Sequence, residues 1–325
     1  MSSTGNKVVS YSEIDAYRQC RLKHQLAYIE NWRVPADDEA EALARGTLFH
    51  SVMESHYGVI MGAQEGNLVE QLEVSDFWNA ANLHLYDDQG RQSERQELVE
   101  WMYTGYIEQW LVEDLSNWDI VKIEMPMTCN LGPGIDLAGT TDLLVKDKRL
   151  GGGLWIVDHK TCKNLPKQKD FDMEDQTGIY AHLAKTQLGL DIRGAIYNFV
   201  RTYRLVRDMS LEERHLRHIT VRTDQELATM ANEAYQIMAG AYADHERRIE
   251  TIVIDSHTSE GDVIDVVYDA PRSPDGERCG WKCGFTEACI AGRKLGPERT
   301  RTFLEDIGMT QHDTKPGPTF NKSRA

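Results

Sequence analysis

No stretch of this sequence approaches the ~18 consecutive apolar residues that a membrane-spanning helix needs. The first residues, MSSTGNKVVSYSEID, also lack the apolar core of an export signal. The chain is therefore expected in the cytosol, with no membrane partner. No glycine-rich phosphate loop of the Walker type is present, so the chain is not expected to hydrolyse ATP itself. Internal repeats and long low-complexity segments are absent too. Positive charge is scarce: 36 Lys and Arg against 52 Asp and Glu leave a net charge of −16. A protein that coats nucleic acid needs a broad basic surface, so that class is excluded. An enzyme that grips a few phosphates locally is not. Carboxylates grouped around metal ions make a sequence look more acidic than the charge a nucleic acid would meet.

What is present is a chain of 325 residues, 41% apolar, long enough to bury one large core or two modest ones. Helical spacing runs through 11–30, with Ser12 as N-cap, and through 39–60, 66–86 and 92–115. The character changes at Trp118. Residues 119–127, 135–146 and 153–160 alternate like strands, and DKRLGGG between the last two reads as the turn of a β-hairpin. A helix over 171–188, strands over 194–203 and 216–222, and a helix over 224–248 follow. From about Pro297 the tail is polar and proline-bearing, and is expected to be loosely held. The order β–β–β–α–β predicts a mixed α/β domain rather than a doubly wound parallel sheet. The expected division is N-terminal helices over 1–62, a helical insertion over 63–118 and an α/β core with its flanking helix over 119–270. A cysteine-bearing segment over 271–298 and a flexible tail over 299–325 complete it.

The hairpin carries the chemistry. Side chains alternate along a strand, so Asp158 and Lys160 point the same way and His159 the other, although its backbone carbonyl can still face a metal. Asp142 lies on the preceding strand, where register could bring its carboxylate beside that of Asp158. Both acids follow apolar strand segments, TTDLLV and LWIVD, where a charge needs a reason. Two close carboxylates repel unless a cation neutralises them, and Mg²⁺ or Mn²⁺ favours oxygen ligands. Such a metal would lower the pKa of a water and stabilise charge building on a phosphate, and Lys160 could orient that water.

GTTDLLVKD…LWIVDHKT resembles the core of the RecB-like branch of the PD-(D/E)xK nuclease superfamily, which carries G-x-x-D and then an apolar strand ending in D-x-K-T. Arg45-Gly46-Thr47-Leu48-Phe49-His50 resembles that family's G-x-x-x-H helix, and Gln176 with Tyr180 its Q-x-x-x-Y helix. The resemblance implies a restriction-endonuclease-like core, a mixed central sheet flanked by helices. It implies metal binding by His50, Asp142, Asp158 and the His159 carbonyl, catalysis by Lys160, and positioning by Gln176 and Tyr180. Glu124, on the strand before the hairpin, reads equally well as an additional acid at the site or as a solvated strand carboxylate. The implied activity is a metal-dependent DNA exonuclease of phage or prokaryotic recombination, repair or processing. Its substrate would be DNA with a free end or a single strand, and a helicase or recombinase its partner. A structure-specific endonuclease, a helicase-associated nuclease subunit and a non-cutting binding protein are the alternatives. The last has no evident use for a lysine beside two acids.

Six cysteines remain: Cys20, Cys129, Cys162, Cys279, Cys283 and Cys289. In a reducing compartment, three within eleven residues point to metal. Thiolates suit iron–sulfur clusters and Zn²⁺, and a zinc site more often shows two compact pairs. The one-plus-three layout of Cys20 with Cys279, Cys283 and Cys289 resembles the 4Fe–4S version of this nuclease family. Its C-x3-C-x5-C spacing departs from the familiar C-x2-C-x5-C. The implied cluster would staple the first helix to the C-terminal segment, with Zn²⁺ as the alternative occupant. Cys129 and Cys162 read as free core or edge thiols. Basic residues gather at 160–169, 201–207 and 293–301, and Trp155, Tyr197 and Tyr203 could stack on bases, although strand positions favour the core.

Overall fold

The computed structural model describes residues 5–34, 38–167, 174–204, 208–255, 270–273, 279, 283–295 and 297–316. It divides into two compact units. One comprises residues 1–41, 130–139 and 232–325, and the other residues 42–129 and 140–231. Among the described residues, no helix is long and apolar enough to cross a membrane.

The larger unit is an α/β layer structure. Its strands are β3 (Trp118–Gly132), β4 (Ile135–Asp147), β5 (Leu154–Cys162), β6 (Ile192–Arg201) and β7 (His215–Val221). β4 pairs with β3 and, antiparallel, with β5; β5–β6 is parallel and β6–β7 antiparallel. The sheet is mixed, as expected. Gly151 and Gly152 take φ of 76° and 71° in the hairpin turn, a left-handed conformation that disfavours a Cβ. Asp147 caps that turn by accepting from the Arg149 N–H at 2.9 Å, and its other oxygen accepts from Trp118 Nε1 at 2.8 Å.

Helices cover the sheet because its strands are apolar on both faces. On one face α3 (Asp38–Glu65), α4 (Val74–Leu85) and α5 (Glu94–Asn117) supply Phe49, Met53, Phe77 and Tyr103 to a core shared with Val145, Val157 and Ile196. Residues 63–118, expected as a helical insertion, are largely helical and form one wall of the main core. The i, i+3, i+4, i+7 spacing of Val99, Met102, Tyr103 and Tyr106 presents one stripe of α5 to that core. Ser93 starts the helix through a reciprocal capping box with Gln96. Next along the chain, α6 (Gln176–Leu188) packs against β5 and β6 and ends at Gly189, which has φ of 68°. The start expected for this helix, 171–173, lies outside the described residues, and 174–175 are not helical. The one-turn helix α7 (Leu211–Arg214) leads into β7.

The smaller unit holds β1 (Lys7–Val9), which pairs in parallel with Ile135–Leu137 of β4. The helix expected over 11–30 is three pieces: α1 (Tyr11–Gln19), α2 (Arg21–His24) and a π turn over Gln25–Ile29. The break falls at Cys20, whose φ of −163° and ψ of 122° are extended. Ser10, not Ser12, is the N-cap, accepting from the Glu13 N–H at 3.2 Å. After α8 (Asp224–Asp255), the cysteine-bearing segment holds α9 (Thr286–Leu295), and the tail expected to be loose from about Pro297 forms α10 (Pro297–Asp306) and β8 (Thr310–Gln311). β8 pairs antiparallel with β2 (Trp32–Arg33). Leu304 and Met309 are buried with Leu22, Leu26 and Trp32, so sparse apolar residues at the right spacing anchor a polar segment.

Glu13 is buried in this unit beside His24 Nε2 at 3.3 Å, Lys315 Nζ at 2.7 Å and the Tyr242 hydroxyl at 2.9 Å. Burial alone would raise its carboxyl, but these partners hold it below the ordinary value of 4.5. A depressed folded-state pKa adds stability above the unfolded value that is lost as pH falls through the folded one. Glu13→Gln is therefore expected to flatten the acid limb of the melting-temperature curve below about pH 4.5. An acid limb identical to that of the wild type would refute this.

Candidate active site

The hairpin brings the acids together through its register. The pairs Leu144↔Ile156 and Leu143↔Val157 lead to Asp142 beside Asp158 at its end. Asp142 Oδ2 accepts the His159 backbone N–H at 2.7 Å, tying β4's acid to β5. Asp142 Oδ1 lies 3.4 Å from Nδ1 of His50, which projects from α3. Asp158 Oδ2 lies 3.0 Å from Lys160 Nζ, as their shared strand face requires. Lys160 in turn donates to Gln176 Oε1 at 3.0 Å, and Tyr180, one helical turn later and buried, hydrogen-bonds Gln176.

Glu124 joins this group. Single donor atoms of His50, Glu124 and Asp142 all lie within 4.8 Å of one another, a set consistent with a divalent metal. Of its two sequence readings, the position is that of an acid at the site. Its φ of 44° is left-handed, an uncommon conformation for a residue with a side chain. Asp158 is not in that set of three. It lies against Lys160 and acts on Asp142 and His50 through its charge. Two further acids were not found from the sequence. Glu54, one helical turn after His50, acts electrostatically on Glu124, and Glu174 accepts the Gln176 N–H at 2.9 Å and acts on Lys160. Only the i, i+4 spacing from His50 and the placement just before α6 could have signalled them.

The electrostatics follow from burial set against these charges. Burial alone would lower His50, but Asp142, Asp158 and Glu124 carry it up to about 9. Burial alone would raise Asp142, but the His50 charge and hydrogen bond, with the His159 N–H, hold it below the usual carboxylate range. Burial with the Asp142 charge pushes Glu124 up to about 7, against the lowering charge of His50. Burial also raises Asp158 against the opposing charge of Lys160. Burial alone would lower Lys160, yet Asp158, Glu174 and Asp142 hold it protonated, above its usual value. The His159 ring faces the core, where burial drives it down to about 3 and keeps it neutral. A proton on His50 thus balances acids that a cation would otherwise balance.

A model of the PD-(D/E)XK nuclease superfamily matches residues 8–289. The chain belongs to that superfamily. Among solved structures, it is similar to a protein from Eubacterium rectale described as "Putative exonuclease", with 14% identity and a TM-score of 0.43. That match covers 85% of this chain and 93% of the other. It is also similar to the protein SSO0001, with 10% identity and a TM-score of 0.25, over 43% of this chain and 60% of that one. No curated protein matches the sequence.

In this PD-(D/E)XK chain the cysteines sort into two kinds. Cys20, Cys283 and Cys289 pack against the same apolar cluster of the smaller unit. Cys279 and Cys20 act electrostatically on Cys283, whose thiol is raised first by burial. The Thr286 hydroxyl donates to the carbonyls of both Cys279 and Cys283. Cys129 is buried and Cys162 half-buried in the larger unit, and burial pushes the Cys162 thiol up to about 11.

The basic clusters are described in part. Lys163 Nζ sits 5.7 Å over the ring of exposed Tyr203, and Arg201 donates to the Lys163 carbonyl and to Asn164. Residues 168–169 and 205–207, and the side chains of Arg293 and of 297–301, lie outside the described residues. Trp155 and Tyr197 are buried in the core and cannot stack on bases, which leaves Tyr203.

Proposed function

We propose that the protein is a divalent-metal-dependent deoxyribonuclease that hydrolyses phosphodiester bonds from a DNA end. The observation that carries this reading is the convergence of His50, Glu124 and Asp142 donors within 4.8 Å, next to a Lys160–Asp158 pair at 3.0 Å. The donor set fits Mg²⁺ or Mn²⁺: two carboxylates and one imidazole, crowded enough that His50 is driven to hold a proton. His50, Glu124, Asp142 and Asp158, with the His159 carbonyl, would hold the ion. When bound, it would supply a water of lowered pKa and neutralise charge on the phosphate. Lys160, kept cationic and held by Gln176, would orient that water and face the developing negative charge. Tyr180 would hold Gln176. Exposed Tyr203 and its neighbour Lys163 offer a base-stacking and phosphate contact suited to single-stranded DNA.

The smaller unit would carry a 4Fe–4S cluster on Cys20, Cys279, Cys283 and Cys289. The fit rests on thiols gathered at one apolar cluster, and on a Thr286 clip that fixes two of the cysteine carbonyls. The extended break at Cys20 turns that residue out of helical register. Such a cluster would contribute folding free energy rather than phosphodiester chemistry.

The test is digestion of 5′- and 3′-labelled linear DNA and of circular DNA with Mg²⁺ or Mn²⁺. Linear DNA is expected to shorten from one labelled end while circles survive. Cleavage of circles would replace the exonuclease with an endonuclease. Intact DNA under every metal condition would refute the nuclease reading.

A further inference from the structure

Behind the site lies a polar layer that the chemistry above does not use. His159, Asn198 and Arg217 are directly paired across β5, β6 and β7, forming one rung of the sheet. The Arg217 side chain is only 4% exposed and that of Asp114, its partner at 2.6 Å, is 0% exposed. The guanidinium is clamped between the rings of Trp110 and Trp118, 4.3 Å from each centroid. Replacing a buried ion pair with apolar residues is often neutral or stabilising, so stability alone gives little reason for this one.

The rung has a directional order. Arg217 Nε donates to Asn198 Oδ1 at 2.7 Å, which turns the amide nitrogen the other way. That nitrogen lies 3.1 Å from the Tyr106 hydroxyl and 3.4 Å from His159 Nδ1. An amide nitrogen only donates, so Nδ1 must accept, and the ring proton sits on Nε2. Rotating the amide would set its N–H groups against the guanidinium and its oxygen against the Nδ1 lone pair. The imidazole is also stacked on Tyr57 at 5.6 Å and 27°, and meets the edge of Tyr106 at 6.0 Å. The His159 residue thus held is the one whose backbone N–H grips Asp142 Oδ2 at 2.7 Å.

We propose that the Arg217–Asn198–His159 rung is a positioning device that sets the Asp142 carboxylate for metal binding, an inference that rests on the metal-site reading above. Arg217 orients Asn198, Asn198 selects one His159 tautomer and holds the ring, and the fixed peptide N–H leaves Asp142 Oδ1 for the cation. Asn198 and Arg217 are positioning residues and touch neither metal nor substrate.

Two measurements test this. The first is the ¹⁵N spectrum of the metal-free wild-type protein, with the His159 ring assigned through its connectivity to its own backbone resonances. The Nε2–H tautomer is expected, and the Nδ1–H tautomer would overturn the proposal without any variant having to fold. The second is Mn²⁺ titration calorimetry. Asn198→Leu is expected to weaken Mn²⁺ binding at least tenfold. Tyr103→Phe loses hydroxyl bonds to His56 and to the Phe77 carbonyl, neither of which belongs to the rung. It should lower the melting temperature and leave Mn²⁺ affinity within twofold. Wild-type affinity in Asn198→Leu, or an equal loss in both variants, would overturn the positioning role. A wild-type protein that binds no Mn²⁺ would instead refute the proposed function, with the tautomer measurement still deciding the rung.

Discussion

Asp142→Ala is expected to lower the DNA cleavage rate at least a thousandfold, about 4 kcal/mol of activation free energy, and to weaken Mn²⁺ binding with it. Asp142 is the shared point of the site: one oxygen meets His50 at 3.4 Å and the other the His159 N–H at 2.7 Å. Lys160→Ala should cost a comparable hundred- to thousandfold in rate, yet keep Mn²⁺ binding, because an ammonium is no ligand. Its loss removes the cation 3.0 Å from Asp158 and strands Gln176, whose oxygen it occupies. The contrast between the two variants is the diagnostic part. Calorimetric Mn²⁺ titration beside a labelled-DNA assay reads it directly. His50→Ala belongs with Asp142→Ala, with weaker Mn²⁺ binding and partial rescue by excess metal. Wild-type digestion by the Asp142 or Lys160 variant would sink the site, and unchanged metal affinity in His50→Ala would return that residue to a structural role.

Cys20→Ser is expected to reduce iron from about four per chain to nearly none, as completely as Cys283→Ser, although the two lie far apart in sequence. The proposed iron–sulfur cluster would need a full thiolate set, and Cys20 packs on the same apolar cluster as Cys283 and Cys289. Protein purified without oxygen should be brown. Because that cluster also buries Trp32, Phe285 and Leu304, losing the metal should first cost solubility and melting temperature. Cleavage by the surviving folded fraction should persist, since no cysteine is among the proposed catalytic ligands. Cys129→Ser serves as the control and should keep its iron. A colourless protein with stoichiometric zinc would replace the iron–sulfur cluster with a zinc staple. Full iron in Cys20→Ser would make Cys129 or Cys162 the candidate fourth ligand.

The β4–β5 hairpin was legible from residues alone because its signals are local. A period of two set the faces of Asp158 and Lys160, and the glycines of DKRLGGG marked a turn whose two positive φ values need them. The long helices were legible for the same reason, as repeating apolar spacing over several turns. Their ends were less so: Ser10 and Ser12 are both plausible caps, and only the direction of the chain entering α1 selects Ser10. Local pattern also could not tell that α4 and α5 wall the main core, because an amphipathic stripe does not name the surface it covers. Nor could it show that Leu304 and Met309 find a buried place for a polar tail.

The sequence by itself determined which residue types can do chemistry and on which face of a strand they stand. Tertiary structure decided which of them meet. Glu124 and His50, 74 positions apart in the chain, join Asp142 because α3 and β3 both approach the end of the β4–β5 hairpin. Asp158, which the sequence pairs with Asp142, stands beside that set with Lys160 Nζ at 3.0 Å. The physical reason is that carboxylate pKa and ligand geometry depend on charges and burial supplied by distant segments, through space, and the order of residues along one strand does not encode those distances.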